Sequence, residues 1–151
     1  MAEPEQSRSA SPPPVLRTVE TALYFDGVQG LKTAAAFYRD TLGLAVMTES
    51  ERLVALDAGG GTVLLLFQRG LTAQGLRWPD GWIPPHDGAG PLHVALGIAV
   101  DQVDAWDRWL ASRGVEVESR VSWARGGKSL YVRDPGGHSV ELVTPGTWEN
   151  Y

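Results

Sequence analysis

Apolar and polar positions alternate along residues 19–26, V-E-T-A-L-Y-F-D, which predicts a β-strand with Leu23 and Phe25 on one face and Glu20, Ala22 and Tyr24 on the other. The run L-K-T-A-A-A-F-Y-R-D-T-L-G-L, residues 31–44, switches to a helical period and is stopped by Gly43, where a left-handed C-terminal cap favours glycine. Three short apolar runs follow, near 44–48, 52–57 and 62–68, each of strand length. The first half of the chain therefore predicts the order βαβββ.

The second half repeats that order. Residues 91–100, P-L-H-V-A-L-G-I-A-V, predict a strand, and residues 101–114 a helix with Asp101 as its N-cap and Gly114 as its stop. Strands are then expected near 115–121, 128–133 and 138–143. Two copies of one unit tend to pack symmetrically, with function placed between them.

Superposing the halves sets Glu20 against His93, each early in the first strand of its unit, and Glu141 in the last strand of the second unit against Leu65 or a near neighbour. Strand alternation puts His93, Ala95 and Gly97 on one face, opposite Val94, Leu96 and Ile98, and turns Glu141 and Val143 away from Val140 and Leu142. Each polar residue thus lies opposite a run of core positions, beside the small residues Ala22, Ala95 and Gly97, a pattern that suits a concave sheet with room for a ligand. Glu141 interrupts an apolar run, and a carboxylate in such a place needs solvent, an ionic partner or a cation. Solvent exposure or a salt bridge would satisfy Glu141 taken alone, and a hydrogen-bonded core position would satisfy His93. Their placement at related positions of a duplicated unit favours metal binding.

Composition narrows the chemistry. A chain of 151 residues fits one domain with a real core, and a net charge of −5 with pI near 5.1 lacks the basic footprint of nucleic-acid binding. There is no cysteine, so disulfides, thiolate zinc sites and cysteine nucleophiles are excluded, and a metal would be held by His, Glu, Asp or carbonyl groups. The opening M-A-E-P-E-Q-S-R-S-A-S-P-P-P has no signal-peptide core, and no stretch is long and apolar enough to be a membrane span, so a cytoplasmic protein with no membrane partner is expected. Residues 1–16 read as a disordered tail, and residues 17–148 as a single domain made of a module 17–70, a linking loop 71–90 and a module 91–148. No Ser-His-Asp arrangement, P-loop or dinucleotide fingerprint is present.

The motifs E-T-A-L-Y-F-D and A-F-Y-R-D-T-L-G-L in the first half, H-D-G-A-G-P-L-H-V-A-L in the middle and L-Y-V-R-D-P-G-G-H-S-V-E-L at the end, in this order and spacing, resemble the vicinal oxygen chelate superfamily over roughly residues 17–148. That group includes glyoxalase I, the fosfomycin and bleomycin resistance proteins and extradiol dioxygenases. The resemblance implies an α+β fold of two tandem βαβββ modules forming a curved mixed sheet around a central cleft. It also implies a divalent metal (Zn, Ni, Mn, Fe or Co) held by Glu20, His93 and Glu141, a small-molecule substrate chelated through adjacent oxygens, and a homodimer. The fourth ligand position of four-ligand members falls on or near Leu65, so the resemblance runs toward three-ligand members such as the fosfomycin resistance enzymes rather than toward glutathione-dependent glyoxalase I. One imidazole and two carboxylates suit a borderline-hard divalent ion and leave positions open for water and substrate, which favours a metal-dependent lyase, isomerase or transferase.

Two other readings stand beside it. A metal-free drug-binding protein of the bleomycin resistance type would use the acidic charge and six Trp to attract and stack cationic aromatic ligands. A ring-cleaving dioxygenase would need Fe(II) or Mn(II), usually on two His and one carboxylate, and Glu20 in place of the first His counts against it. Further pocket candidates are Trp78, Trp82 and His86 in the linking loop, and Trp123 with Arg125 before the seventh strand. Glu141, as a carboxylate able to take a proton, and Tyr24, sharing the face of Glu20, are the catalytic candidates. Trp106 and Trp109 read as core or interface residues, and His138, beside a turn, as exposed.

Overall fold

The computed structural model describes residues 11–151. Residues 11–19 are exposed and outside regular structure, while residues 1–10 of the expected tail lie outside the described residues. The first module runs β1 (Glu20–Phe25), α1 (Gly27–Ala36), β2 (Ala45–Glu49), β3 (Leu53–Asp57) and β4 (Val63–Gln68). The second runs β7 (His93–Gly97), α2 (Val103–Ser112), β8 (Ser119–Ser122), β9 (Lys128–Arg133) and β10 (Ser139–Val143). The predicted βαβββ repeat is present in both halves.

Each module forms a four-stranded mixed sheet, ordered β1-β4-β3-β2 in the first and β7-β10-β9-β8 in the second. The first and last strands of each module pair in parallel, because the helix between them supplies the crossover a parallel pair requires. The register makes the internal correspondence concrete: Ala22 lies opposite Leu65 in the first sheet, and Ala95 opposite Glu141 in the second. Glu20 and His93 each stand two residues before those alanines, so the two sheets carry equivalent positions on equivalent faces.

Each of the two modules implied by the resemblance contributes its own four-stranded mixed sheet to the α+β fold. Their apolar faces join one core: Leu23, Phe25, Leu56, Leu64 and Leu66 from the first sheet share it with Leu130, Val132, Val140 and Leu142 from the second. Leu31, Ala34, Ala35 and Tyr38 on the first helical segment and Leu110 on α2 complete that core. Polar joints sit at its margin. The buried Tyr38 hydroxyl donates to Asp134 Oδ2 at 2.8 Å, and Trp109 Nε1 donates to the Thr41 carbonyl at 2.7 Å. The faces bearing Glu20 on one sheet and His93 with Glu141 on the other point away from the common core, as strand alternation demands.

Local differences from the sequence reading have local causes. The first helix starts at Gly27, four residues earlier than expected, despite the low helix propensity of Gly27 and Gly30; burial of Leu31, Ala34 and Ala35 against the sheet outweighs that preference. It continues through one π-type turn, Phe37–Thr41, where the Leu42 amide reaches back to the Phe37 carbonyl, and ends at Gly43 with φ +75°. Asp101 does not cap α2. It lies inside a 3-10 turn, Val100–Gln102, that precedes the helix, and no side chain caps the helix start. The linking segment is not a plain loop: β5 (Leu76–Trp78) and β6 (Gly81–Ile83) form a hairpin around Pro79-Asp80, a turn whose W-P-D-G chemistry is visible in the sequence. His138 is fully buried rather than exposed. Its Nδ1 accepts from the Leu92 amide and its Nε2 donates to the Tyr24 carbonyl, tying the modules together beside the Phe25 ring.

Candidate functional site

The structure distributes the predicted residues over two open sheet faces. On the second sheet, β7 brings His93 and β10 brings Glu141 onto the same face, with Nε2 of His93 3.4 Å from Oε2 of Glu141. Glu141 is 7% exposed, whereas the His93 side chain is about half exposed at 52%, so the pair has a buried carboxylate and an imidazole open to an incoming group. His93 Nδ1 lies 3.2 Å from the Ser139 carbonyl, which can only accept, so Nδ1 carries a proton and Nε2 is the nitrogen turned to the carboxylate, as a second N–H in an imidazolium or as a lone pair in the neutral ring. At this distance a proton on Nε2 or a cation between the two groups satisfies both. A separation of 3.4 Å is also that of two donors sharing a tetrahedral centre with bonds of about 2.1 Å. His93 and Glu141 fit a divalent ion by donor type and spacing.

Around Glu141 stand residues that the sequence reading did not single out. Ser129 on β9 is buried and donates from Oγ to Glu141 Oε1 at 2.5 Å, and Tyr131 lies directly opposite Glu141 in the antiparallel ladder. Burial, then the neighbouring Glu141 carboxylate, pushes the Tyr131 phenol above its ordinary range, so it remains a hydrogen-bond donor. Its ring stacks at 6.4 Å on that of His93. The signal for both was alternation: K-S-L-Y-V-R puts Ser129 and Tyr131 on the face opposite the core residues Leu130 and Val132. Trp123 reaches the same cluster, donating from Nε1 to Ser129 Oγ at 2.7 Å. Arg125, two residues on, is exposed in the Trp123–Gly126 turn and makes no side-chain hydrogen bond or ion pair among the described residues.

Glu20 lies elsewhere. It is exposed at the rim of a cavity of about 430 Å³ on the open face of the first sheet, where Tyr24, Leu65 and Phe67 form the floor, Arg52 the side, and Leu76, Ile83 and His86 of the linking segment the cover. Tyr24 OH is 2.7 Å from His86 Nδ1, and His86 packs edge-on against Phe67 at 4.9 Å. Burial, then the charge of Asp87, raises the Tyr24 pKa, which keeps the phenol protonated. His86 lines this cavity, whereas Trp78 and Trp82 do not. They are exposed at 62% and 56% and border a shallow surface hollow with Asp80. Among the described residues no three His, Asp or Glu side chains converge as a metal-binding group, because Glu20 and the His93–Glu141 pair occupy faces turned away from one shared core. No helix among the described residues is long and apolar enough to cross a membrane.

Comparisons with known proteins agree with this architecture. The chain is similar to the Metallothiol transferase FosB of Staphylococcus saprophyticus, 26% identical over 118 residues that cover 78% of this chain and 71% of that protein. The FosB of Staphylococcus haemolyticus is 27% identical, with 78% and 77% covered. Among solved structures, a lactoylglutathione lyase from Agrobacterium tumefaciens superposes with a TM-score of 0.78 at 33% identity, covering 91% of this chain and 99% of that one. A glyoxalase/bleomycin resistance protein/dioxygenase from Nocardioides shares the fold at 21% identity, with a TM-score of 0.60 and coverage of 87% and 85%. The family model for the Glyoxalase/Bleomycin resistance protein/Dioxygenase superfamily matches residues 27–142, spanning most of both βαβββ modules, and the chain belongs to that superfamily.

Proposed function

We propose that this chain is a divalent-metal-dependent enzyme, a lyase, isomerase or transferase, acting on a small molecule through two adjacent oxygens. The carrying observation is the His93–Glu141 pair: an imidazole nitrogen and a carboxylate oxygen 3.4 Å apart, with the other ring nitrogen anchored on the Ser139 carbonyl. Glu20 is the third ligand in this reading, supplied by a second copy of the chain, since within one chain it stands on the other open face. The exposure of His93, Ala95 and Gly97 on the second sheet leaves room for the first-sheet face of that copy. A homodimer whose site is shared between copies follows.

When bound, a divalent ion would supply Lewis-acid polarisation of the substrate's oxygens. The residues do the rest. Tyr131, held protonated, can donate to a substrate oxygen on the face it shares with His93. Glu141 carries a carboxylate able to take a proton, and Tyr24 with His86 offers a phenol–imidazole pair inside the cavity at whose rim Glu20 stands. The cavity floor of Leu65 and Phe67 suits an apolar substituent on the substrate. Relatives whose names specify a metallothiol transferase and a lactoylglutathione lyase support thiol-linked small molecules as the substrate class.

A second reading, a metal-free binder of aromatic cations, is favoured by the ring-lined 430 Å³ cavity with Glu20 at its rim, although Arg52 beside it opposes a cationic ligand. Elemental analysis separates the two. Near-stoichiometric Zn, Ni, Mn, Fe or Co in the parent, lost in Glu141→Ala purified identically, is the expected result. Parent protein that carries no metal and takes none up on titration would sink the enzyme reading and leave the binder.

A further inference from the structure

We infer that Trp123 and Ser129 are positioning residues that set the orientation of the Glu141 carboxylate through a one-directional hydrogen-bond relay. The direction follows from the chemistry of the three groups. An indole Nε1–H can only donate and an ionised carboxylate can only accept, so the hydroxyl between them must receive from Trp123 and donate to Glu141. The distances are 2.7 Å from Trp123 Nε1 to Ser129 Oγ and 2.5 Å from Ser129 Oγ to Glu141 Oε1. The relay occupies Oε1 and leaves Oε2 as the oxygen facing His93 Nε2.

The surroundings make it a device for orientation rather than a chance contact. Ser129 is 1% exposed, and no water competes for a hydroxyl buried to that degree. Trp123 is held by its own backbone, its amide donating to Gly127 and its carbonyl accepting from Gly126, so the indole is presented by a closed turn at the end of the β8–β9 hairpin. Without the relay, Oε1 would lose the Ser129 hydroxyl that fixes it, and Tyr131 opposite would be left as the other group holding the carboxylate toward His93. Groups of this kind, which hold a ligand without touching what it binds, govern affinity through geometry.

The inference deepens the metal-enzyme reading and rests on it for its consequence, though the relay itself exists without metal. Two measurements keep the two apart. In metal-free ¹⁵N-labelled protein, the Trp123 indole N–H resonance is expected to move in Ser129→Ala and in Glu141→Gln, and to stay in place in Asp104→Asn, an exposed carboxylate on α2; an indole signal indifferent to Glu141→Gln overturns the relay whatever the protein binds. Calorimetric titration with Mn(II) is then expected to show affinity about 10- to 100-fold weaker in Ser129→Ala and a smaller loss in Trp123→Phe, with Arg125→Ala, in the same turn, unchanged. Equal Mn(II) affinity in parent, Ser129→Ala and Trp123→Phe overturns the positioning role. If the parent takes up no Mn(II), the enzyme reading fails and the indole shifts alone decide the relay. Trp123→Phe leaves Ser129 in place, so a folding defect in Ser129→Ala does not remove the test.

Discussion

The Tyr24 hydroxyl lies 2.7 Å from His86 Nδ1, joining the first strand of the chain to the segment that links its two modules. Around this bond the link is pinned beside the first sheet: the His86 amide donates to the Thr72 carbonyl and the Thr72 hydroxyl to the His86 carbonyl, Arg69 Nε donates to the Gly88 carbonyl, and the Asp87 carboxylate accepts from the Gly70 amide. Breaking the side-chain bond should free the cover of the cavity before it unfolds the core. His86→Ala removes a hydrogen bond and two aromatic contacts, together about 2 kcal/mol, so the melting temperature should fall by about 4–8 °C. Limited proteolysis should cut between residues 70 and 91 sooner than in the parent. A linking segment as resistant as the parent's would show that His86 is not what holds it.

Ligands on opposite faces of one chain predict complementation. Glu20→Ala and Glu141→Ala should each abolish Mn(II) binding. When the two chains are unfolded together and refolded, half of the dimers pair one of each, and every mixed dimer regains one intact site of two. Binding capacity should therefore return to about a quarter of the parent's. No recovery, with dimers confirmed by light scattering, would place the site within one chain.

Alkaline pH should test the joint between the modules. Tyr38 is fully buried and donates to Asp134, and its pKa is raised by burial first, then by the Asp134 charge and hydrogen bond. A folded-state pKa above the unfolded value of about 10 means that this contribution is complete below pH 10 and declines as pH rises beyond it, because the unfolded chain ionises its tyrosine and the folded one resists. Urea midpoints should drop from pH 9 to pH 11 in the parent and drop less in Tyr38→Phe. At neutral pH the variant should lose about 1.5–3 kcal/mol, as expected for a hydrogen bond to a charged acceptor. Equal alkaline sensitivity in the two proteins would assign the effect to other groups.

Gly127 marks a close approach of backbones. A Cβ there would meet the Gly146 carbonyl carbon at 2.5 Å and the Thr147 amide nitrogen at 2.6 Å, atoms that cannot move aside as a side chain could. Gly127→Ala should destabilise the fold by about 1–3 kcal/mol in chemical denaturation. It should also disturb the turn that carries Trp123. Gly126→Ala, with φ +93° but open space around it, should show the backbone strain without the clash.

The sequence by itself determined the repeated βαβββ order, the strand faces and the equivalence of Glu20 with His93 and of Leu65 with Glu141, because these depend on local periodicity and fixed offsets within a strand. Alternation also carried Ser129 and Tyr131, though only the side-chain distances show that they bind or border Glu141. The hairpin in the linking segment was written in W-P-D-G, while its seat over the first sheet was not. His138 beside a turn carries no mark of burial in the sequence; its place between the Leu92 amide and the Tyr24 carbonyl arises from the docking of two modules far apart in the chain. Tertiary structure alone decided that the two sheets turn their apolar faces to one core and their polar faces apart. Periodicity can state which side of a strand is buried, but not which other element buries it, and that choice separates Glu20 from His93 and Glu141 within a single chain.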